Sequence, residues 1–170
     1  MRFFRLIESD INTAPLLDEI HKNEPAWGAY TKRQEQIPVQ KDTNTILIRH
    51  AVSRPDFEDP AQNQEDKWTK MAPHFPLACQ FMENFAQKEG AKLSRATIVR
   101  LKPKSEVYRH IDYGAYYLIR NRYHLVLQSK SGSVMVSGGE KIRMKEGELW
   151  WFDNKQNHGA LNESAESRIH

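Results

Sequence analysis

The chain has 170 residues, 39% hydrophobic and 10% aromatic, with a net charge of +3, which excludes a disordered polymer and is enough for one domain with a proper core. The charge is mild and no dense Lys/Arg run occurs, so no nucleic-acid partner is expected. Cys79 is the single cysteine, which excludes an internal disulfide framework; the N-terminal MRFFRLIESD is too short an apolar run for a signal peptide and no stretch reaches transmembrane length, so a soluble cytoplasmic protein with no membrane partner is expected.

In chain order, FFRLI (3–7) reads as a short strand. TAPLLDEIHKN (13–23) reads as a helix: Thr13 is a candidate cap, Pro15 sits in the first turn, and Leu16, Leu17 and Ile20 form an apolar stripe. TNTILIRHAV (43–52) is rich in β-branched residues and predicts a strand. SRPDFEDPAQNQED (53–66), with two prolines and five acids, predicts a loop. Such a loop is usually just solvated; as a lid it would suit a cationic or amide substrate. FPLACQFMENFAQKEG (75–90) carries Leu77, Ala78, Phe81, Met82 and Phe85 at helical spacing and stops at Gly90. From there the pattern changes. Residues 94–101, 115–120, 122–128, 133–137, 140–144 and 148–152 read as short strands, separated in the later part by turns at SKSG, SGGE and KEGE. The expected fold is mainly β with helices (α+β), a β-sandwich backed by helices, in a single domain over 1–170. Residues 1–93 would form the helix-rich supporting part and 94–170 the β core.

The stretch YRHIDYG (108–114) places two costly polar side chains, His110 and Asp112, two residues apart among aromatic and apolar neighbours. On a strand both would face one side, with Ile111 opposite. They are either a hydrogen-bonded pair or two ligands of a metal. A third residue, His158, follows the strand ELWWF and a polar turn, and Arg168 lies ten residues beyond it. Two histidines and one carboxylate on one face of an octahedral ferrous ion leave three positions open. Two of those suit a chelating 2-oxo acid and the third suits O2. Arg168 is placed to be the guanidinium fork for the distal carboxylate of such an acid.

The pattern HID…RYHLVL…GELWWFDN…H…LN…RIH resembles the aspartyl/asparaginyl/prolyl hydroxylase family of Fe(II)- and 2-oxoglutarate-dependent oxygenases, from about residue 95 to the end. The resemblance implies a double-stranded β-helix, the jelly-roll relative of cupins, with N-terminal helices beside it. It implies Fe(II) bound by His110, Asp112 and His158, and 2-oxoglutarate held by Arg168, with Arg122 and His124 as a further anion-binding pair. The product would be a hydroxylated aspartate, asparagine or proline side chain, free or in a peptide, so a small-molecule or peptide substrate and O2 are the expected partners. Two departures stand out. The peptide-aspartate branch lacks the carboxylate ligand, whereas this chain has Asp112 and is in that respect closer to the free-proline hydroxylases. The family continues along a strand past the arginine, whereas this sequence ends two residues later, which marks either a compact or a shortened form.

Two other readings compete: a cupin-like metalloenzyme that uses no 2-oxo acid, and a non-catalytic β-sandwich binding module with a structural His110–Asp112 pair. His21, His50 and His74 lack a partner pattern and read as structural or surface residues. Cys79, in the apolar part of a helix, reads as inert. One of Trp150 and Trp151 is a candidate wall of the active site. Tyr113, Tyr116 and Tyr117 line either a pocket or the core. Nothing in the sequence decides the oligomeric state.

Overall fold

The computed structural model describes residues 1–31, 40–51 and 65–170. The acidic segment therefore lies outside the described residues as far as residue 64. Strand β1 (Phe4–Glu8) is followed by helix α1 (Ala14–Lys22) and a 3₁₀ turn (Glu24–Gly28). Leu16 and Ile20 turn inward as the apolar stripe requires. Thr13 makes no side-chain cap; the Asn12 Oδ1 instead accepts from the Ala14 N–H at 3.2 Å. Next come β2 (Thr43–Ala51), β3 (Asp66–Trp68), a second 3₁₀ turn (Ala72–His74) and α2 (Pro76–Lys88). The remainder is β4 (Ala96–Leu101), β5 (Ser105–His110), the one-turn helix α3 (Ala115–Leu118), β6 (Arg122–Leu125), β7 (Ser133–Ser137), β8 (Glu140–Ile142), β9 (Leu149–Phe152), β10 (His158–Asn162) and β11 (Arg168–Ile169).

Among the described residues all strand pairings are antiparallel, in three groups ordered β1-β9-β6, β11-β4-β2-β3 and β5-β10-β7-β8. A bridge between Gln128 and Ile169 joins the first two groups into one curved layer. The strands before residue 94 are part of that layer: β1 pairs with β9, and β2 lies between β3 and β4. One core, built from Phe4, Val126, Met135, Met144, Trp150 and Phe152, fills the space between the layers. A second core lies between β2, β4 and the helices, where Ile46, Ile48 and Ile98 meet Leu16, Ile20, Phe75 and Ala78. Ile169 belongs to this helix-side core, so its neighbours Arg168 and His170 face the opposite way.

Two further sequence expectations change. The stretch 115–120 is a helical turn, not a strand. Gly114 adopts φ +99°, which reverses the chain, and the Tyr117 N–H bonds back to the Gly114 carbonyl at 3.1 Å. Tyr116 is thereby buried, and its hydroxyl reaches Asp66 at 2.6 Å. The β5 strand also ends at His110, so Asp112 sits beyond it in the connection, not within a strand. No helix among the described residues is long and apolar enough to cross a membrane.

Candidate active site

Strands β5 and β10 bring His110 and His158 directly opposite each other. Their ring centroids are 4.4 Å apart. Asp112 returns to them from the connection after β5, tied down by its own N–H to the Asn154 carbonyl at 3.3 Å. The ligand atoms of the three residues all lie within 4.8 Å of one another. Asp112 Oδ1 is 3.7 Å from His110 Nε2, and Asp112 Oδ2 is 3.9 Å from His158 Nε2. These are too long for hydrogen bonds and leave room for an ion between the atoms.

The protons are placed to match. His110 Nδ1 faces the Tyr108 carbonyl at 2.8 Å and His158 Nδ1 faces the Gln156 carbonyl at 2.9 Å. A carbonyl only accepts, so each Nδ1 carries the proton and each Nε2 presents a lone pair. His158 Nε2 is buried with no hydrogen-bond partner among the described residues. A buried polar atom left this way calls for an explanation, and a metal ion supplies one. The donor set of two imidazoles and a carboxylate suits a non-haem ferrous ion. Burial pushes the Asp112 carboxyl up, but the Arg122 guanidinium, the Asn154 amide and the two imidazoles outweigh it and hold Asp112 below its usual range. Asp112 is thus an anion ready to bind a cation. Burial lowers His158, which keeps its ring neutral as a ligand must be.

The remaining predicted residues gather nearby. A cavity of about 620 Å³ is lined by His110, His158, Arg122, His124 and Arg168 together with His170. Arg122 donates from Nη1 to Asp112 Oδ2 at 2.8 Å, and Asn154 Nδ2 donates to the same oxygen at 3.0 Å. Arg122 also lies over the Phe152 ring, 5.5 Å from its centroid. His124 packs edge-on against Phe152 at 4.8 Å. Arg168 is buried, and no carboxylate among the described residues pairs with it. Burial pulls its guanidinium down to about 10. A cation buried without a counter-ion is costly, so an anionic ligand is the expected partner.

Two residues of the site were not legible as such. Asn154 stands in the polar turn NKQNH, and nothing local marks it as a partner of Asp112. His170 carried a signal, because RIH (168–170) repeats the spacing of RYH (122–124). Trp150 is buried in the inter-sheet core, and none of Tyr113, Tyr116 and Tyr117 lines the cavity.

Residues 33–170 match the sequence model of the aspartyl/asparaginyl beta-hydroxylase family. No curated protein is a match. Among solved structures, the fold resembles an oxidoreductase of the 2OG-Fe(II) oxygenase family from Burkholderia pseudomallei, with a TM-score of 0.54 at 15% identity over 94% of this chain and 87% of that one. A viral collagen prolyl hydroxylase from Paramecium Bursaria Chlorella virus-1, in its 2OG complex, aligns with a TM-score of 0.48 at 14% identity over 98% of this chain and 92% of that one. The jelly-roll layers, the His–Asp–His group and a family match over most of the sequence agree: the chain belongs to the aspartyl/asparaginyl beta-hydroxylase family and is an Fe(II)- and 2-oxoglutarate-dependent hydroxylase.

Proposed function

We propose that this enzyme hydroxylates an aspartate, asparagine or proline side chain, free or in a peptide, and that His110, Asp112 and His158 hold its Fe(II). The observation that carries this reading is the buried, unpartnered His158 Nε2 facing Asp112 and His110. When bound, Fe(II) with 2-oxoglutarate activates O2 to place a hydroxyl on a C–H bond, with succinate and CO2 as the other products.

The chain's own residues prepare that chemistry. The carbonyls of Tyr108 and Gln156 fix the tautomers of the two histidines. Arg122 and Asn154 fix the Asp112 carboxylate and keep it ionised. Arg168 would receive the distal carboxylate of 2-oxoglutarate, an assignment supported by its burial without a counter-ion. His124 would meet the same cosubstrate from β6, with Arg122 beside it. Phe152, fully buried between His124 and His158, keeps water from that side of the site. The proposal takes residues 1–170 as one oxygenase unit with a cytoplasmic setting, in line with a lone cysteine.

The test is an anaerobic Fe(II) titration with and without 2-oxoglutarate, followed by a screen of free amino acids and peptides for coupled succinate release. The expected result is a weak visible charge-transfer band that needs both additions. Metal binding without such a band, and no succinate with any candidate, would remove 2-oxoglutarate from the reading.

A further inference from the structure

The sequence carries the triplet Arg-x-His twice, as Arg122-Tyr123-His124 on β6 and Arg168-Ile169-His170 at β11. In each, the arginine and the histidine share one face. All four side chains line the cavity that also holds His110 and His158. The two triplets meet at their histidines: His124 Nδ1 and His170 Nδ1 are 3.2 Å apart, and the rings cross edge-on at 80°. The last residue of the sequence is thereby part of the site wall. Its backbone is held in place by reciprocal hydrogen bonds with Val99, at 2.9 and 3.0 Å.

Both residues are half-buried at the cavity wall, and both rings are neutral. Burial, with the charges of Arg122 and Arg168 and the His158 ring nearby, holds His124 well below its usual value. Burial, Arg168 and His124 do the same for His170. Two neutral imidazoles that face each other through Nδ1 share a single proton between those atoms. One Nδ1 donates and the other accepts, so the rings hold opposite tautomers. In one arrangement His124 keeps its proton on Nε2 and is a donor to whatever lies beyond it. In the other, His124 Nε2 is a bare lone pair.

Three observations select the first arrangement. The cavity is cationic and suited to an anion, and an anion needs a donor from His124, not a lone pair. His170 and Arg168 border one small void, and the Arg168 charge acts on the His170 ring, which favours a lone pair over an N–H at Nε2. The same void is bordered by Ser129 and Ser133, whose hydroxyls are buried and without a partner among the described residues. His170 Nε2 is itself buried and unpartnered, and a buried N–H left without an acceptor is costlier than a bare lone pair.

We infer that His170 is a positioning residue for the cosubstrate: its Nδ1–H donates to His124 Nδ1 and so holds His124 as an Nε2–H donor toward an anion in the cavity. The inference rests on the reading of the cavity as the 2-oxoglutarate site. It adds a residue that acts through His124 without touching the metal set.

The test has two arms. In the first, protein labelled with ¹⁵N-histidine is examined by long-range ¹H–¹⁵N NMR, metal-free and then with Zn(II) and 2-oxoglutarate. His124 is expected as the Nε2–H tautomer and His170 as the Nδ1–H tautomer in both states. The opposite assignment overturns the inference. In the second arm, 2-oxoglutarate affinity is measured by calorimetry on the Zn(II) protein. His170→Leu leaves His124 Nδ1 unpartnered and should weaken 2-oxoglutarate about tenfold, whereas His170→Gln, which keeps an N–H donor, should stay within about threefold of wild type. Zn(II) affinity should hold in both variants. Equal 2-oxoglutarate affinity in wild type and His170→Leu also overturns the inference. Wild-type protein that binds Zn(II) but no 2-oxoglutarate removes the cosubstrate reading instead, and the tautomer assignment still decides the relay.

Discussion

Arg122 is the residue whose role the three-dimensional arrangement changes most. By spacing and resemblance it belongs with His124 as a cosubstrate contact. In the fold its guanidinium sits on Asp112, the carboxylate of the proposed iron set, at 2.8 Å. Arg122→Ala should therefore weaken Fe(II) binding by about 10- to 100-fold even without 2-oxoglutarate, as loss of a ligand's outer partner does. Anaerobic metal titration checks it; unchanged metal affinity with weaker 2-oxoglutarate binding would return Arg122 to the cosubstrate. Arg168→Lys should behave differently. An ammonium cannot reproduce two parallel bonds to a carboxylate, and the expected loss in 2-oxoglutarate binding is about 2–5 kcal/mol with metal affinity intact. Cosubstrate titration of the metal-loaded variant decides it, and full affinity would show that the buried guanidinium serves the fold alone.

At the scale of elements, the proposed metal set depends on how closely β5 and β10 run. Gly159 lies between His158 and Ala160, where the register of the two strands shifts. A Cβ at Gly159 would lie 2.8 Å from the Val107 carbonyl and 3.2 Å from the Arg109 backbone nitrogen. Gly159→Ala must push β5 away, carrying His110 from His158. The expected cost is about 1–3 kcal/mol of stability, with a loss of metal affinity. Thermal unfolding and metal titration report the two effects, and a variant that matches wild type in both would show β5 to be free to shift. Most strands were legible from β-branched and aromatic runs between glycine turns. The stretch 115–120 was not, because AYYLIR has a strand's composition and its helical turn is set by Gly114 and by the Tyr116 hydroxyl bonding to a residue on β3. Long-range contacts of this kind override local propensity.

For the molecule as a whole, three neutral histidines gathered in the interior make stability depend on pH. His124, His158 and His170 all have folded values below the usual 6.5. Between those values and 6.5 the unfolded chain binds more protons than the folded one, so unfolding free energy rises with pH there. Metal-free protein should have its full histidine contribution above pH 6.5 and lose it as pH falls below that value. Asp112, lowered in the fold, loses its contribution only in stronger acid. A melting-temperature profile of the metal-free protein from about pH 8 to 5 tests this; a flat profile through the histidine range would mean that these rings are hydrated in solution.

What the sequence determined by itself was the chemistry: which residue types recur at which spacing, and which of them share a face. HID, RYH, a later His158 and Arg168, at the spacing of a known family, pointed to an iron set and an anion partner; strand alternation puts Arg122 and His124 on one side, whereas Asp112 falls beyond β5. Only the tertiary structure decided which faces meet. That Arg122 reaches Asp112, that Asn154 holds the same oxygen and that His170 closes on His124 follow from β6 running beside β9 and from the Gln128–Ile169 bridge. Those pairings join residues far apart in the chain. Spacing along the sequence specifies facing but not neighbours, since the neighbour of a strand is chosen by the packing of the whole core.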